Sequence, residues 1–312
     1  MKLHKKLNIS VTAAALFMAA AVTSCFTGIE STPKITAADV KRQHITVRAE
    51  DSYLADIEPE PVGQWEKGKR FYVTDNKFSM LLVPPVPAET DSLAGKEIRF
   101  NGYGESADIA GYKTLELDFI TPEGNAVTYR TRSTSTTGPD SPLDIPFLID
   151  MDIIDRLKKK MEGKSYYITT ASWYDSAMQP VTGRKFVSVT VRRVLPGNQY
   201  YSAILELTDD KGKDFNLYMS AGNDIKSLRN FSTLFSLTNP RDAYPQITDA
   251  TWQNIINSRV AAEMTKEECR MALGSPASVD RQVGYSSIRE IWTYENGIYL
   301  IFEDNLLRSF RQ

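Results

Sequence analysis

Two cysteines and two histidines, Cys25, Cys269, His4 and His44, are the only thiols and imidazoles in this 312-residue chain. Acyl transfer by serine or cysteine needs a base that exchanges its proton near neutral pH, and histidine usually supplies it. Zinc sites draw on closely spaced Cys and His. Here the cysteines stand at opposite ends of the chain, and both histidines precede its periodic part. Ser-His-Asp catalysis, Cys-His catalysis and His-ligated zinc are not expected, and two cysteines make no disulfide framework. Carboxylates are plentiful, with 39 Asp and Glu. Paired carboxylates cleave glycosidic bonds without histidine, but none here sits in a recognisable motif. Asp140, Asp144, Asp150 and Asp152 do not have EF-hand spacing and read as turn and cap residues. No Gly-rich phosphate loop, HExxH or GxSxG occurs. The expectation is a protein without catalysis, cofactor or metal.

The stretch EMTKEECRMALGSPASVD, residues 263–280, gives Cys269 a packing role. Thr265 and Glu268 have capping-box spacing. Met264 before the cap and Cys269 in the first turn are placed as a hydrophobic staple. Leu273 follows four residues on, on the same face. Gly274 and Pro276 end the helix. A buried cysteine there acts as a small hydrophobe. Cys25 has a different setting. Lys2, Lys5 and Lys6 precede an apolar run from Val11 to Val22 that is too short to span a bilayer comfortably. Val22-Thr23-Ser24-Cys25 then resembles the lipobox of bacterial lipoproteins. That resemblance implies removal of 1–24, lipidation of Cys25 and a membrane anchor. Phe26 is not the aspartate of an inner-membrane retention signal, and no acidic run follows the cysteine. The implied location is the periplasmic side of the outer membrane.

The bulk composition bounds the partners. With 42% apolar and 24% charged residues, the chain can bury a large core. The net charge of −2 becomes about −5 once the three lysines of 1–24 are removed. There is no basic excess for nucleic acid. Lys158-Lys159-Lys160 close an amphipathic helix, where the helix dipole favours cations.

The elements fall into blocks. Residues 25–64, with their prolines, read as a membrane tether carrying at most one strand at HITVRA (44–49). From Trp65 short alternating runs separated by turns signal an all-β unit over 65–142. The texture recurs over 162–222, on the far side of a connecting helix within 143–161. KGKRFYVTD echoes EGKSYYITT, AGKEIRF echoes TGRKFVS, and the hairpin at 113–131 echoes 202–220. Aligned on glycine, the offsets are 95, 88 and 88 residues. Two duplicated small β-barrel or SH3-like modules are expected. Tyr166-Tyr167, Trp173-Tyr174 and Tyr200-Tyr201 suit cross-strand packing or a ligand groove. A connector spans 223–250. Residues 251–312 read as two helices and a three-stranded meander turning at Asn296-Gly297 and Asp304-Asn305. The expected class is mainly β plus α+β, ending in an ααβββ domain.

This last segment carries a resemblance. Met264-Thr265, Leu273-Gly274-Ser275-Pro276, Glu290-x-Trp292-x-Tyr294 and Phe302-Glu303-Asp304-Asn305-x-Leu307 are similar to the SmpA/OmlA (BamE-like) lipoprotein domain. Glu263 and Cys269 stand where that family has Gly and Val, and its small members lack the preceding β modules. The resemblance implies a non-enzymatic envelope protein that supports outer-membrane assembly or integrity by binding proteins and lipid. The final strands are apolar on both faces, and two helices cover only one. Trp292, Tyr294, Tyr299 and Ile301 are therefore candidate partner-binding residues, with packing against the β modules as the alternative. A further reading is cell-wall (peptidoglycan) or peptide binding by the β modules. The third is a glycan-cleaving enzyme using carboxylates.

Overall fold

The computed structural model describes residues 48–85, 92–107, 113–131, 138–221, 227–283 and 288–312. Cys25 and the segment expected to be a signal peptide, residues 1–24, lie outside them. The chain enters through α1 (Ala49–Ser52). Leu54 and Ile57, just beyond it, are buried among the core side chains. Residues 48–64 are thus part of the folded body, a correction to the tether expected over 25–64. Most of the strand expected at 44–49 lies outside the described residues, and its last two, Arg48 and Ala49, open α1. The Tyr53 ring stacks on Phe231 at 4.4 Å, and its hydroxyl meets that of Tyr166 at 2.8 Å. The entering strap therefore packs on later parts of the chain before the first sheet is built.

The first sheet contains β1 (Arg70–Val73), β2 (Leu82–Val83), β3 (Glu97–Ala107), β4 (Lys113–Ile120), β5 (Ala126–Arg130) and β6 (Leu148–Asp150). It is antiparallel, in the order β2-β5-β4-β3-β1-β6. Alternation sends Phe71, Ile98, Phe100, Leu117 and Phe119 inward, where Trp65 and Phe78 close the cluster. The helix expected within 143–161 begins only at Met151. The residues before it form a turn and β6, which pairs with β1. Asp150 caps the helix, α2 (Met151–Met161), by accepting from the Asp152 amide at 2.9 Å. Met151, Ile154, Leu157 and Met161 make its buried stripe, at the spacing one helix face requires.

The second sheet contains β7 (Ser165–Ile168), β8 (Ser172–Tyr174), β9 (Pro180–Thr182), β10 (Val187–Pro196), β11 (Ala203–Asp209), β12 (Asp214–Met219) and, after α3 (Phe231–Leu234), β13 (Phe235–Ser236). Its order is β13-β7-β10-β11-β12-β8-β9. The expected connector over 223–250 thus supplies a strand of this sheet.

The two sheets share an order, with β6, β1, β3, β4, β5 and β2 matching β13, β7, β10, β11, β12 and β8. They also share a register. Phe71 pairs with Ile98 as Tyr166 pairs with Val189, and Leu117 pairs with Tyr129 as Leu205 pairs with Leu217. Each carries a bulge in the same strand pair, after Phe100 in one and Val191 in the other. The hairpin turns agree as well. Gly124 donates to the Thr121 carbonyl as Gly212 donates to that of Asp209. These equivalences set the offsets at 95, 91 and 88 residues. The middle value corrects the alignment on glycine. The residue standing where Gly95 stands is Phe186, and both have positive φ, +79° and +57°. Gly183 serves another purpose. A Cβ there would fall 1.9 Å from the Trp173 ring, which is stacked on Phe215 at 3.6 Å.

The C-terminal part opens with α4 (Asp249–Ile256), capped by Thr248 rather than beginning at Thr251, and α5 (Lys266–Leu273). Four strands follow in sequential order: β14 (Ser278–Val283), β15 (Ile288–Thr293), β16 (Tyr299–Glu303) and β17 (Leu306–Arg311). The sheet has four strands, not the expected three, so the layout is ααββββ. The extra strand, SVDRQV, lies at an edge and has no apolar alternation to announce it. The architecture is mixed α+β: two curled antiparallel sheets, then a smaller sheet with flanking helices. No described helix is long and apolar enough to cross a membrane.

Candidate functional site

Register decides which side chains the C-terminal sheet can offer. The β15–β16 loop has three residues, Glu295 to Gly297, closed by the Tyr294 amide donating to the Ile298 carbonyl at 2.9 Å. Gly297 takes φ +79°, the bulge geometry of a three-residue hairpin. Trp292 therefore pairs with Leu300, and both are buried against α4 and α5 along with Phe302 and Leu307. Tyr294 is also nearly buried, and its hydroxyl donates to the Gly274 carbonyl at 3.2 Å. The opposite face carries Tyr299 beside Thr293 and Ile301 beside Ile291. Of the four candidate partner-binding residues, Trp292 and Tyr294 are thus core, while Tyr299 and Ile301 share the open face.

The helices cover only the middle of their own face. Each has eight residues, about 12 Å of length. Val279 flanks Trp292 and Phe310 flanks Leu300 on that face, yet they are 49% and 38% exposed. Among the described residues nine large apolar side chains stand exposed, and four of them, Val279, Ile288, Tyr299 and Phe310, are on this sheet. Charges order its interior side. Lys266 of α5 meets Glu290 at 2.9 Å, and that hydrogen bond holds the Glu290 carboxyl below the usual carboxylate range. Glu290 also accepts from the Trp292 indole at 3.1 Å, and the Arg270 guanidinium lies 4.6 Å from the same ring. β14 is a free edge among the described strands. The start of β17 is covered, because Glu263 donates to Leu307 and Leu307 donates to Met264.

The helices fasten this part to the second β unit. The Lys185 amide donates to the Ile256 carbonyl at 3.1 Å and its ammonium to the Ala272 carbonyl at 2.6 Å. Phe186 stacks near Trp252 at 5.7 Å. Cys269 of α5 has no exposed surface, and burial pushes its thiol up to about 12. A thiol so protonated is no nucleophile at neutral pH. The capping box forms as the spacing predicts: Glu268 donates its amide to the Thr265 hydroxyl at 3.2 Å and returns its carboxylate to the Thr265 amide at 2.7 Å. The buried α5 residues are Cys269 and Ala272, with Leu273 only half-buried.

A concave feature that nothing in the sequence announces lies elsewhere. A cleft of about 760 Å³ runs between β6 and the entering strap on one side and the β10–β11 loop on the other. Beside it, Lys69 is buried within a ring of carboxylates: Asp150 at 3.0 Å, Glu60 at 3.4 Å, and Asp152. Burial alone would lower the Lys69 pKa, but the Asp152 hydrogen bond and the Asp150 charge outweigh it and raise it. Of the aromatic pairs noted in the sequence, Tyr166 and Trp173 are core, whereas Tyr200 lines the cleft and is 74% exposed. Nothing local distinguishes these three tyrosine- and tryptophan-bearing runs. Among the described residues no cluster of His, Cys, Asp and Glu could hold a metal ion. Comparison with protein-family models, with curated proteins and with solved structures finds nothing that matches the chain.

Proposed function

We propose that this protein is a non-enzymatic lipoprotein, held by lipidated Cys25 in the outer membrane facing the periplasm, that binds another envelope protein through its C-terminal sheet. One observation carries the reading: the face of the C-terminal sheet away from α4 and α5 is left uncovered and bears Tyr299 and Ile301 side by side, while Val279, Ile288 and Phe310 stay partly exposed around the margin of the other face. An uncovered sheet face that carries apolar and aromatic side chains is a place where a partner can dock. The free edge of β14 adds a place where a partner strand can pair. The SmpA/OmlA-like residues from Met264 to Leu307 favour a partner in outer-membrane protein assembly or envelope integrity, and the lipobox at 22–25 favours the anchor. The matching order, register and turns of the first two sheets support a duplicated pair of barrelled, SH3-like modules. A second reading gives those modules a cell-wall or peptide ligand, and the cleft beside Tyr200 favours it.

In-cell photo-crosslinking from Tyr299 tests the first reading, with the buried Trp292 as the silent control. The expected outcome is a discrete adduct to an outer-membrane barrel or its assembly machinery, lost when Cys25→Ala releases the chain from the membrane. Adducts confined to the chain itself, or adducts unaffected by Cys25→Ala, would sink it.

A further inference from the structure

The cleft between the first two sheets has the chemistry of a ligand site. Its volume of about 760 Å³ lies inside the range of roughly 300–1,000 Å³ that small-ligand pockets occupy. Its floor is apolar and only half covered, formed by Leu143, Phe147, Leu148 and Ile153. Tyr200 stands bare at the rim. Glu58, Asp144 and Asp150 line the cleft, and no lysine, arginine or histidine does. Lys69 answers Asp150. Glu58 and Asp144 are exposed, and neither carboxylate has a partner among the described residues. Phe147 holds φ +66°, a left-handed conformation that a bulky residue rarely adopts. Thr74 fixes it there, donating to the Phe147 carbonyl from its amide at 2.8 Å and its hydroxyl at 3.1 Å. Such strain persists only where the surroundings impose it, and it gathers at ligand clamps.

These features select one kind of guest. Unpaired acids repel anions and attract cations. A bare phenol ring adds a face for a cation. The half-covered floor rewards an apolar body. Glu58 lies on the entering strap and Asp144 on the segment before β6, so a guest that meets both must span separate parts of the chain. We infer that the cleft binds a short extended peptide in which lysine or arginine flanks leucine or phenylalanine. The apolar side chains sit on Leu143, Phe147 and Leu148, and the basic groups meet Glu58 and Asp144. This site rests on the second reading only in giving the β units a ligand, and the C-terminal sheet plays no part in it.

Calorimetric titration of the full chain with acetyl-Lys-Phe-Leu-Lys-amide and with acetyl-Glu-Phe-Leu-Glu-amide decides the matter. The basic peptide is expected to bind about tenfold or more tightly than the acidic one, or roughly 1.4 kcal/mol. The preference should vanish in the Glu58→Gln/Asp144→Asn double variant. Tyr200→Ala should weaken the basic peptide alone. All three positions are exposed, so the fold survives the changes. Binding of neither peptide, equal binding of both, or a preference that persists in the double variant overturns the inference. Sedimentation with purified peptidoglycan, run alongside, separates the two ideas. Pelleting without peptide binding retires the peptide site and keeps a wall ligand for the β units, and failure of both retires the second reading as well.

Discussion

Lys185 is the least comfortable charge among the described residues. It is 9% exposed, and among those residues its ammonium has one acceptor, the Ala272 carbonyl at the end of α5. Burial lowers its pKa from 10.5 to about 8. Between those values the unfolded chain holds a proton that the folded chain has released, so stability rises with pH across that window. The slope approaches about 1.4 kcal/mol per pH unit. Urea unfolding at pH 8 and pH 9 should show that rise, and Lys185→Met should remove it. Cys269 acts in the opposite sense at higher pH. Its thiol is pushed from 9.0 to about 12, so above pH 9 the unfolded chain gains by ionising and stability falls. The packing role of Cys269 was legible from its place in a capped helix. The role of Lys185 was not, because its neighbours Ile256 and Ala272 are distant in sequence.

At the scale of single elements the clearest case is α5. Its start, its reciprocal cap and its end are all local, so the sequence names them. Thr265→Ala should cost about 1 kcal/mol. Glu268→Ala should cost less once Thr265 is gone, because each partner satisfies an amide of the other. Thermal unfolding of the two single variants and the double variant measures the coupling. Strands were legible where apolar and polar residues alternate, as in Phe71–Val73 or Leu115–Phe119. They were not where a strand is an exposed edge, as in β14, or is two residues long, as in β13. The repeat shows the same limit. Its outer offsets follow from the sequence, but glycine misplaced the middle one. Gly183 exists to make room for Trp173, whereas Gly95 exists to turn the chain. One residue type meets two physical needs, and only the register separates them.

At the scale of the whole molecule the buried apolar side chains of the described residues form two clusters. One belongs to the first sheet, with Leu117 and Phe119. The other runs without a break from Leu54 through the second sheet to Trp292 and Leu300 of the C-terminal sheet. Residues in one cluster should lose protection together. Leu205→Ala, at a position with no exposure, should destabilise by about 3 kcal/mol and speed amide exchange in β10 and β16 alike. Leu117→Ala should do so in β3 and β4 and leave β16 unchanged. Native-state hydrogen exchange by mass spectrometry reads both. Equal loss of protection in β16 from either variant would mean that the three parts unfold as one.

The sequence by itself determined what is local: the β texture of two related units, the capped helix around Cys269, the turns at Asn296-Gly297 and Asp304-Asn305, and a lipobox-like run at 22–25. Periodicity and capping act over a few residues, so they can be read along the chain. The tertiary structure alone decided what depends on distant partners. It placed residues 48–64 inside the fold, turned Trp292 and Tyr294 inward and left Tyr299 and Ile301 outside. It also brought Glu58, Asp144 and Tyr200 to one cleft. A strand's pattern says that one face is buried, but a three-residue loop rather than a two-residue one reverses which face that is. Only the folded register resolves that choice.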